Sequence, residues 1–280
     1  MLLRVVGVAW VGQPSALCGY AGWALAIVPL GACAILQTQS PSRFFAMSLD
    51  LSRIRAITLD LDDTLWPVWP TIARAEAVLQ GWLATHAPAT QALCQQPGVQ
   101  RAIREQVHQD HPELAHDLSA LRREAIRRAL LHAGDNPALA PDAFEVFFAE
   151  RQRVELFSDA LPALDYLSSR FPVVALSNGN ADVHRVGLGR YFRASVSARD
   201  AGAAKPDARI FERGAQAAGV PAQQVLHIGD DAHLDGVGAL QAGMQVAWLN
   251  REGHAWAHGP QAPHLTVADL GVLCACLKAG

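Results

Sequence analysis

Four places in the sequence carry residue types that can do chemistry together. Asp60 and Asp62, two residues apart, close the run Ile54-Arg55-Ala56-Ile57-Thr58-Leu59, and Thr64 follows them. Ser177-Asn178-Gly179 closes Pro172-Val173-Val174-Ala175-Leu176. Lys205 precedes Pro206-Asp207, and Asp230 and Asp235 follow Gln224-Val225-Leu226-His227-Ile228. Two converging carboxylates repel, so the first pair calls for a cation, a shared proton or exposure. Two or three carboxylates suit a hard cation such as Mg²⁺, which usually also takes a substrate phosphate oxygen. A lysine and a hydroxyl complete the charge balance around a phosphoryl group. One carboxylate can attack phosphorus. A second can protonate the leaving oxygen and then deprotonate water.

Each place also has a plain reading. Asp60 to Thr64 could be a solvated turn that caps a helix. Ser177 to Gly179 could be a strand-end turn, and Lys205 a surface lysine before a helix. What separates the readings is that all four occur in this order, each after a predicted strand.

The elements that must position them form an alternating pattern. Short apolar runs over 54–59, 172–176, 194–197, 224–228 and 245–249 read as buried parallel strands. Helices are expected over 159–170, 207–218 and from 235 to Ala242, and 264–277 reads as a short strand or turn and a closing helix. Open α/β sheets bind ligands beyond the carboxyl ends of their strands. If the strands are parallel, all four places lie on that edge. His227 sits on a strand and is expected to be a hydrogen-bonded core residue.

Between the first two strands lies an insert, residues 67–158, too long to be a loop. Helical spacing predicts four helices, over 70–86, 99–108, 118–132 and 142–154. Gly134 is a stop signal for the third. The arginines Arg122, Arg123, Arg127 and Arg128 are expected on a solvated face.

The chain has 280 residues, 51% hydrophobic and 18% charged, enough for one large domain or two smaller ones. A net charge of -3 gives no broad basic surface and argues against nucleic-acid partners. The five cysteines match no zinc or disulfide framework, which points to free thiols in a reducing compartment. From Val5 to Ser42 there is no charge. Residues 1–46 read as an over-long start before Met47, with a membrane anchor or a signal as the other readings. They are set aside for the fold.

These motifs resemble the haloacid dehalogenase-like (HAD) hydrolases. The first, D-x-D-x-T, stands here as Asp60-Leu61-Asp62-Asp63-Thr64; the others are Ser177, Lys205-Pro206, and Gly229-Asp230 with Asp235. The resemblance covers about residues 50–275. It implies a Rossmann-like α/β core with a central parallel sheet, formed by 47–66 and 159–280, and an α-helical C1 cap over 67–158. It implies that Asp60 is the nucleophile and Asp62 the general acid/base. Mg²⁺ would be held by the Asp60 side chain, the Asp62 backbone carbonyl and Asp230. Ser177, Asn178 and Lys205 would bind the phosphoryl group, with Asp235 and Thr64 in support.

A narrower resemblance lies in 59–66, 177–180, 226–231 and His116-Asp117-Leu118-Ser119. They resemble bacterial phosphatases acting on FMN and 5-amino-6-(5-phospho-D-ribitylamino)uracil, in riboflavin biosynthesis. Trp66, Arg122 and Arg123 are candidate substrate contacts. The expected protein is a cytoplasmic, Mg²⁺-dependent phosphomonoesterase acting on a small phosphate ester. A broad-specificity phosphatase on sugar phosphates or nucleotides is the alternative.

Dehalogenation would leave no need for an acid two residues after the nucleophile. A phosphomutase would use the same aspartyl-phosphate but exclude water. A response-regulator receiver is about half this length and lacks the insert. A non-enzymatic relative usually loses a motif carboxylate, and none is missing.

Overall fold

The structure is a computed structural model that describes residues 48–279. The expectation for residues 1–46 lies outside the described residues. Six strands form one parallel sheet: β1 (Ala56–Leu59), β2 (Val173–Ser177), β3 (Ala194–Ser197), β4 (Val225–Gly229), β5 (Gln245–Leu249) and β6 (Leu265–Val267). Their order is β3-β2-β1-β4-β5-β6, and every neighbouring pair is parallel. The order reverses at β1, so β1 and β4 are neighbours although 165 residues of chain lie between them. Such a reversal opens a crevice at the carboxyl ends of the strands. Asp60 follows β1 there, and Asp230 follows β4.

The strands are short apolar runs because both faces of the sheet are covered. Every residue of β1, β2, β4 and β5 is buried, whereas β3 is a partly exposed edge. One face packs on α6 (Ala160–Ser168) and α10 (Leu270–Ala279), through Leu164, Leu167, Leu270 and Leu273. The other packs on α8 (Ala208–Ala218), through Ile210, Phe211 and Ala215. A short α7 (Ala198–Ala201) links β3 to α8, and a π-helical turn over Ala232–Val237 runs into α9 (Gly238–Gln241).

The insert between β1 and β2 holds five α-helices, not four. They are α1 (Val68–His86), α2 (Pro88–Cys94), α3 (Val99–Asp110), α4 (Leu118–Ala133) and α5 (Ala140–Arg151). The extra one is α2. Its N-cap is Ala87, which offers no side-chain acceptor. Asp135, 45 residues on, accepts the Thr90 N–H at 2.7 Å and the Thr90 hydroxyl at 2.6 Å instead. The insert has cores of its own. Leu79, Leu83, Ile126, Leu130, Phe144 and Phe147 form one, and Ile103, Val107, Leu121 and Ala125 another. Among the described residues, no helix is long and apolar enough to cross a membrane.

Candidate active site

The chain leaves β1 in a tight loop that turns straight into α1. Leu65 N–H bonds to Leu61 O at 2.8 Å, and Asp63 adopts a positive φ of 57°. Aspartate tolerates that region better than most residues. The Asp63 carboxylate accepts the Val68 N–H at 2.8 Å and so starts α1, whose N-cap Pro67 can give no such bond. The loop thereby keeps Asp60, Asp62 and Thr64 beside one another at the strand end.

Asp60 is 6% exposed and Lys205 5%. Lys205 Nζ donates to Asp60 Oδ1 at 2.5 Å and to Asp235 Oδ1 at 2.6 Å. Burial alone would pull the Lys205 ammonium down, but Asp235 and Asp60 together raise it above its ordinary value, so it stays charged. Burial would raise Asp235, and Lys205 with His227 instead depress it to about 2. His227 is fully buried, as expected for a core histidine. Its Nε2 lies 3.0 Å from Asp235 Oδ1 and its Nδ1 lies 2.9 Å from Thr58 Oγ1. Gly229, before Asp230, lets this happen: a Cβ there would lie 2.2 Å from Asp235 Cγ.

Asp230 stands across from Asp60. The Thr64 hydroxyl lies between them, 3.3 Å from Asp60 Oδ2 and 3.0 Å from Asp230 Oδ1. Burial pushes Asp230 up to about 8, reinforced by repulsion from Asp60 and Asp235. Burial likewise lifts Asp60, Lys205 pulls it back, and Asp235 and Asp62 raise it again, to about 7. One oxygen from each of Asp60, Asp230 and Asp235 can be found with all three within 4.8 Å of one another. This is an all-oxygen set short of positive charge, which fits a hard divalent cation. Asp235 is already engaged by Lys205 and His227, so Asp60 and Asp230 are the side chains freer to hold one. Asp62 was expected to add only its backbone carbonyl, and its side chain is committed elsewhere.

That commitment is to two donors. Trp66 Nε1 donates to Asp62 Oδ1 at 2.8 Å. Arg151 Nη2 donates to Oδ1 and Oδ2 at 2.6 and 2.7 Å. Gly179 accommodates the carboxylate: a Cβ there would lie 2.4 Å from Asp62 Oδ2 and 3.2 Å from Ser177 Oγ. The acid at the end of β1 and the hydroxyl at the end of β2 therefore flank one small space. Ser177 Oγ accepts the Gly179 N–H at 2.9 Å.

Several sequence expectations are revised by this geometry. Asn178 is drawn to Lys205: its Nδ2 donates to Lys205 O at 3.0 Å and its Oδ1 accepts the Lys205 N–H at 2.7 Å. These two bonds align the lysine's backbone and take one hydrogen of Nδ2 and one lone pair of Oδ1. Trp66 is fully buried, so it holds Asp62 and is no substrate contact. Arg122 is not on a solvated face; it pairs with Glu76 at 2.5 Å and lies 3.7 Å over the Phe147 ring. Arg123 is exposed beside Phe144. Arg151 and Gln152 were missed. Gln152 Oε1 accepts the Asp182 N–H at 2.7 Å and clamps the loop after β2. Neither has a motif, and each meets its partner across a long stretch of chain.

Comparison with known proteins agrees with this geometry. Residues 54–243 match the haloacid dehalogenase-like hydrolase family. The 5-amino-6-(5-phospho-D-ribitylamino)uracil phosphatase YigB of Escherichia coli K12 is 33% identical over 231 residues, 80% of this chain and 96% of that protein. A phosphoserine phosphatase of Thermus thermophilus is 33% identical over 53% of this chain and 62% of its own length. The crystal structure of a 2-haloacid dehalogenase from Pseudomonas syringae is 37% identical, with a TM-score of 0.74 over 81% of this chain and 98% of that one. The chain belongs to the haloacid dehalogenase-like hydrolases.

Proposed function

We propose that the protein is a Mg²⁺-dependent phosphomonoesterase working through an aspartyl-phosphate. Asp60 attacks phosphorus, and the ester P–O bond breaks. Asp62 gives its proton to the leaving oxygen. Asp62, now a carboxylate, takes a proton from water, whose oxygen attacks the same phosphorus and releases phosphate and Asp60. Lys205 holds Asp60 in place and, with Ser177, offers donors to the phosphoryl oxygens. Asp60, Asp230 and the Asp62 carbonyl are the groups that would hold the cation, which supplies positive charge to those oxygens when bound. Residues 47–66 and 159–280 act as the catalytic core, and 67–158 as a cap that selects the substrate.

The observation that carries this reading is the Asp62 carboxylate placed against Ser177 and Gly179, beside the nucleophile. Carbon–halogen cleavage needs no acid for its leaving group. The likeness to the Pseudomonas syringae dehalogenase favours that second reading, and the placement of Asp62 weighs against it. The Escherichia coli relative supports a phosphate ester of the riboflavin pathway as substrate, FMN or 5-amino-6-(5-phospho-D-ribitylamino)uracil. The narrow motifs over 59–66, 177–180 and 226–231 support the same choice.

The test is phosphate release by the purified protein with Mg²⁺. The panel holds FMN, the ribitylaminouracil phosphate, sugar phosphates and nucleotides, with halide release from 2-chloropropionate measured in parallel. Asp60→Asn is the blank. Preference for the two flavin-pathway compounds supports the narrow assignment, and broad activity keeps only the phosphatase. Halide without phosphate would replace the reading by dehalogenation.

A further inference from the structure

Arg151 ends α5, 89 residues from Asp62 in sequence, and its side chain is 1% exposed. One of its nitrogens, Nη2, grips both Asp62 oxygens. Of the other two, Nη1 is buried and has no partner among the described residues. The ion pair with Asp62 offsets part of the cost of burying the guanidinium, but the orphaned donor adds a cost of its own, so the arrangement is a poor device for stability alone. Nη2 also lies 3.6 Å from the position a Cβ on Gly179 would take, in the same space as Ser177 Oγ. The guanidinium therefore reaches from the insert to the acid/base and the loop after β2.

The end of α5 is fixed against that loop. Gln152, the next residue, bonds to the Asn180 carbonyl and the Asp182 N–H. At the start of α4, Ser119 Oγ accepts from Asn180 Nδ2 at 3.2 Å. Among the described residues the core contributes one donor to Asp62, Trp66 Nε1, which meets Oδ1. A single contact leaves a carboxylate free to swing about it, whereas a second donor bridging both oxygens fixes its plane. That second donor comes from the insert.

We propose that Arg151 is the positioning residue of the acid/base. It ties the orientation of Asp62 to the docking of α5, so the insert contributes to the chemistry as well as to substrate choice. This rests on the phosphatase reading above, in which Asp62 protonates the leaving oxygen. The consequence depends on the leaving group. An aryl oxide leaves without help, whereas an alkoxide needs a proton delivered in line.

The experiment compares kcat/KM, which reports the ester-cleaving step, for 4-nitrophenyl phosphate and an alkyl phosphate such as glycerol phosphate. Wild type, Asp62→Asn, Arg151→Ala, Arg151→Lys and Trp66→Phe are measured with Mg²⁺. Asp62→Asn sets the scale, with a loss of about 10²–10⁴-fold on the alkyl ester and far less on the aryl ester. Arg151→Ala should show the same split at about ten- to a hundredfold, with millimolar guanidinium restoring part of the alkyl activity. Arg151→Lys, which keeps the charge but has a differently shaped head on a different stem, should fall between. Trp66→Phe should show a smaller split of the same sign. If Arg151→Ala does not fold by circular dichroism, Arg151→Lys carries the test. Equal losses on both esters for the Arg151 variants, or none, while Asp62→Asn splits them, would overturn the positioning role alone. No split in Asp62→Asn, or no phosphate release by wild type, would instead remove the reading beneath it.

Discussion

His227 Nε2 lies 3.0 Å from Asp235 Oδ1, the oxygen that also accepts from Lys205 Nζ. A buried line of contacts thus runs from Thr58 on β1 through His227, Asp235 and Lys205 to Asp60. It starts on the strand that delivers Asp60 and returns to it. Every member has low exposure, so each interaction works in a medium that strengthens it and penalises its loss. Burial keeps the His227 imidazole below its ordinary pKa, so the neutral ring is the form that joins Thr58 to Asp235.

Replacing His227 by Ala should therefore be costly to stability. It leaves a cavity, removes a partner from Thr58 and withdraws one of the donors on Asp235. The loss should be about 2–4 kcal/mol, read from urea unfolding. An unchanged midpoint would mean that the line of contacts is not structural.

The cation site makes a pH prediction whose sign is fixed by two acids. Asp60 and Asp230 are held at about 7 and about 8, above the value near 4 that either has in an unfolded chain. Between those limits the metal-free folded protein holds more protons than the unfolded one, so its stability falls as pH rises from about 4 to about 8. Asp235, depressed to about 2, acts in the other direction. Its contribution is fully present above about pH 4 and is lost only as pH falls through about 2. Magnesium favours the ionised carboxylates and should offset the loss at the alkaline end. In EDTA, Tm should fall between pH 5.5 and 8. The increment on adding Mg²⁺ should grow across that range, and Mg²⁺ added at pH 7 should release protons. An increment independent of pH would contradict the raised values, and one that survives Asp230→Asn would contradict the ligand set.

Gly179 offers a sharper test of the space beside the acid. An added methyl would come within 2.4 Å of Asp62 Oδ2, an oxygen that Arg151 holds in place. The backbone there does not require a positive φ, so the strain is one of contact. Gly179→Ala should keep its fold by circular dichroism and lose at least about tenfold in kcat/KM, the scale expected when a catalytic group is displaced. Near-normal turnover would show that Asp62 has room to move.

Much of the site was legible because parallel strands announce themselves. A strand covered on both faces must be a short apolar run, and the first polar residues after it lie at the sheet edge. Asp60, Ser177 and Asp230 follow that rule, and His227 was legible as a polar residue inside such a run. Arg151 was not legible, because a helix-terminal arginine is commonplace and its partner Asp62 is 89 residues away. The tie between Asn178 and Lys205 was not legible for a related reason. A strand-end amide shows no partner until the fold brings Lys205 against it. Trp66 and Arg122 were offered to a substrate on chemical type alone, and packing gave them to Asp62 and Glu76.

The missing helix α2 shows the same limit and can be tested without touching the site. Local sequence gave only Pro88 at the first helical position as a start signal and no side-chain cap, because the residue before it is Ala87 and the acceptor for the Thr90 N–H is Asp135, just beyond α4. Asp135 thus does the work of an N-cap from a distance and ties α2 to the end of α4. Asp135→Ala should lower stability by about 1–2 kcal/mol, the range for a lost helix cap. Hydrogen exchange should speed up in α2 more than in α1 or α5, because the lost bond joins α2 to the end of α4 and touches neither of those helices. The first effect without the second would show that Asp135 stabilises the insert as a whole and does not cap this helix.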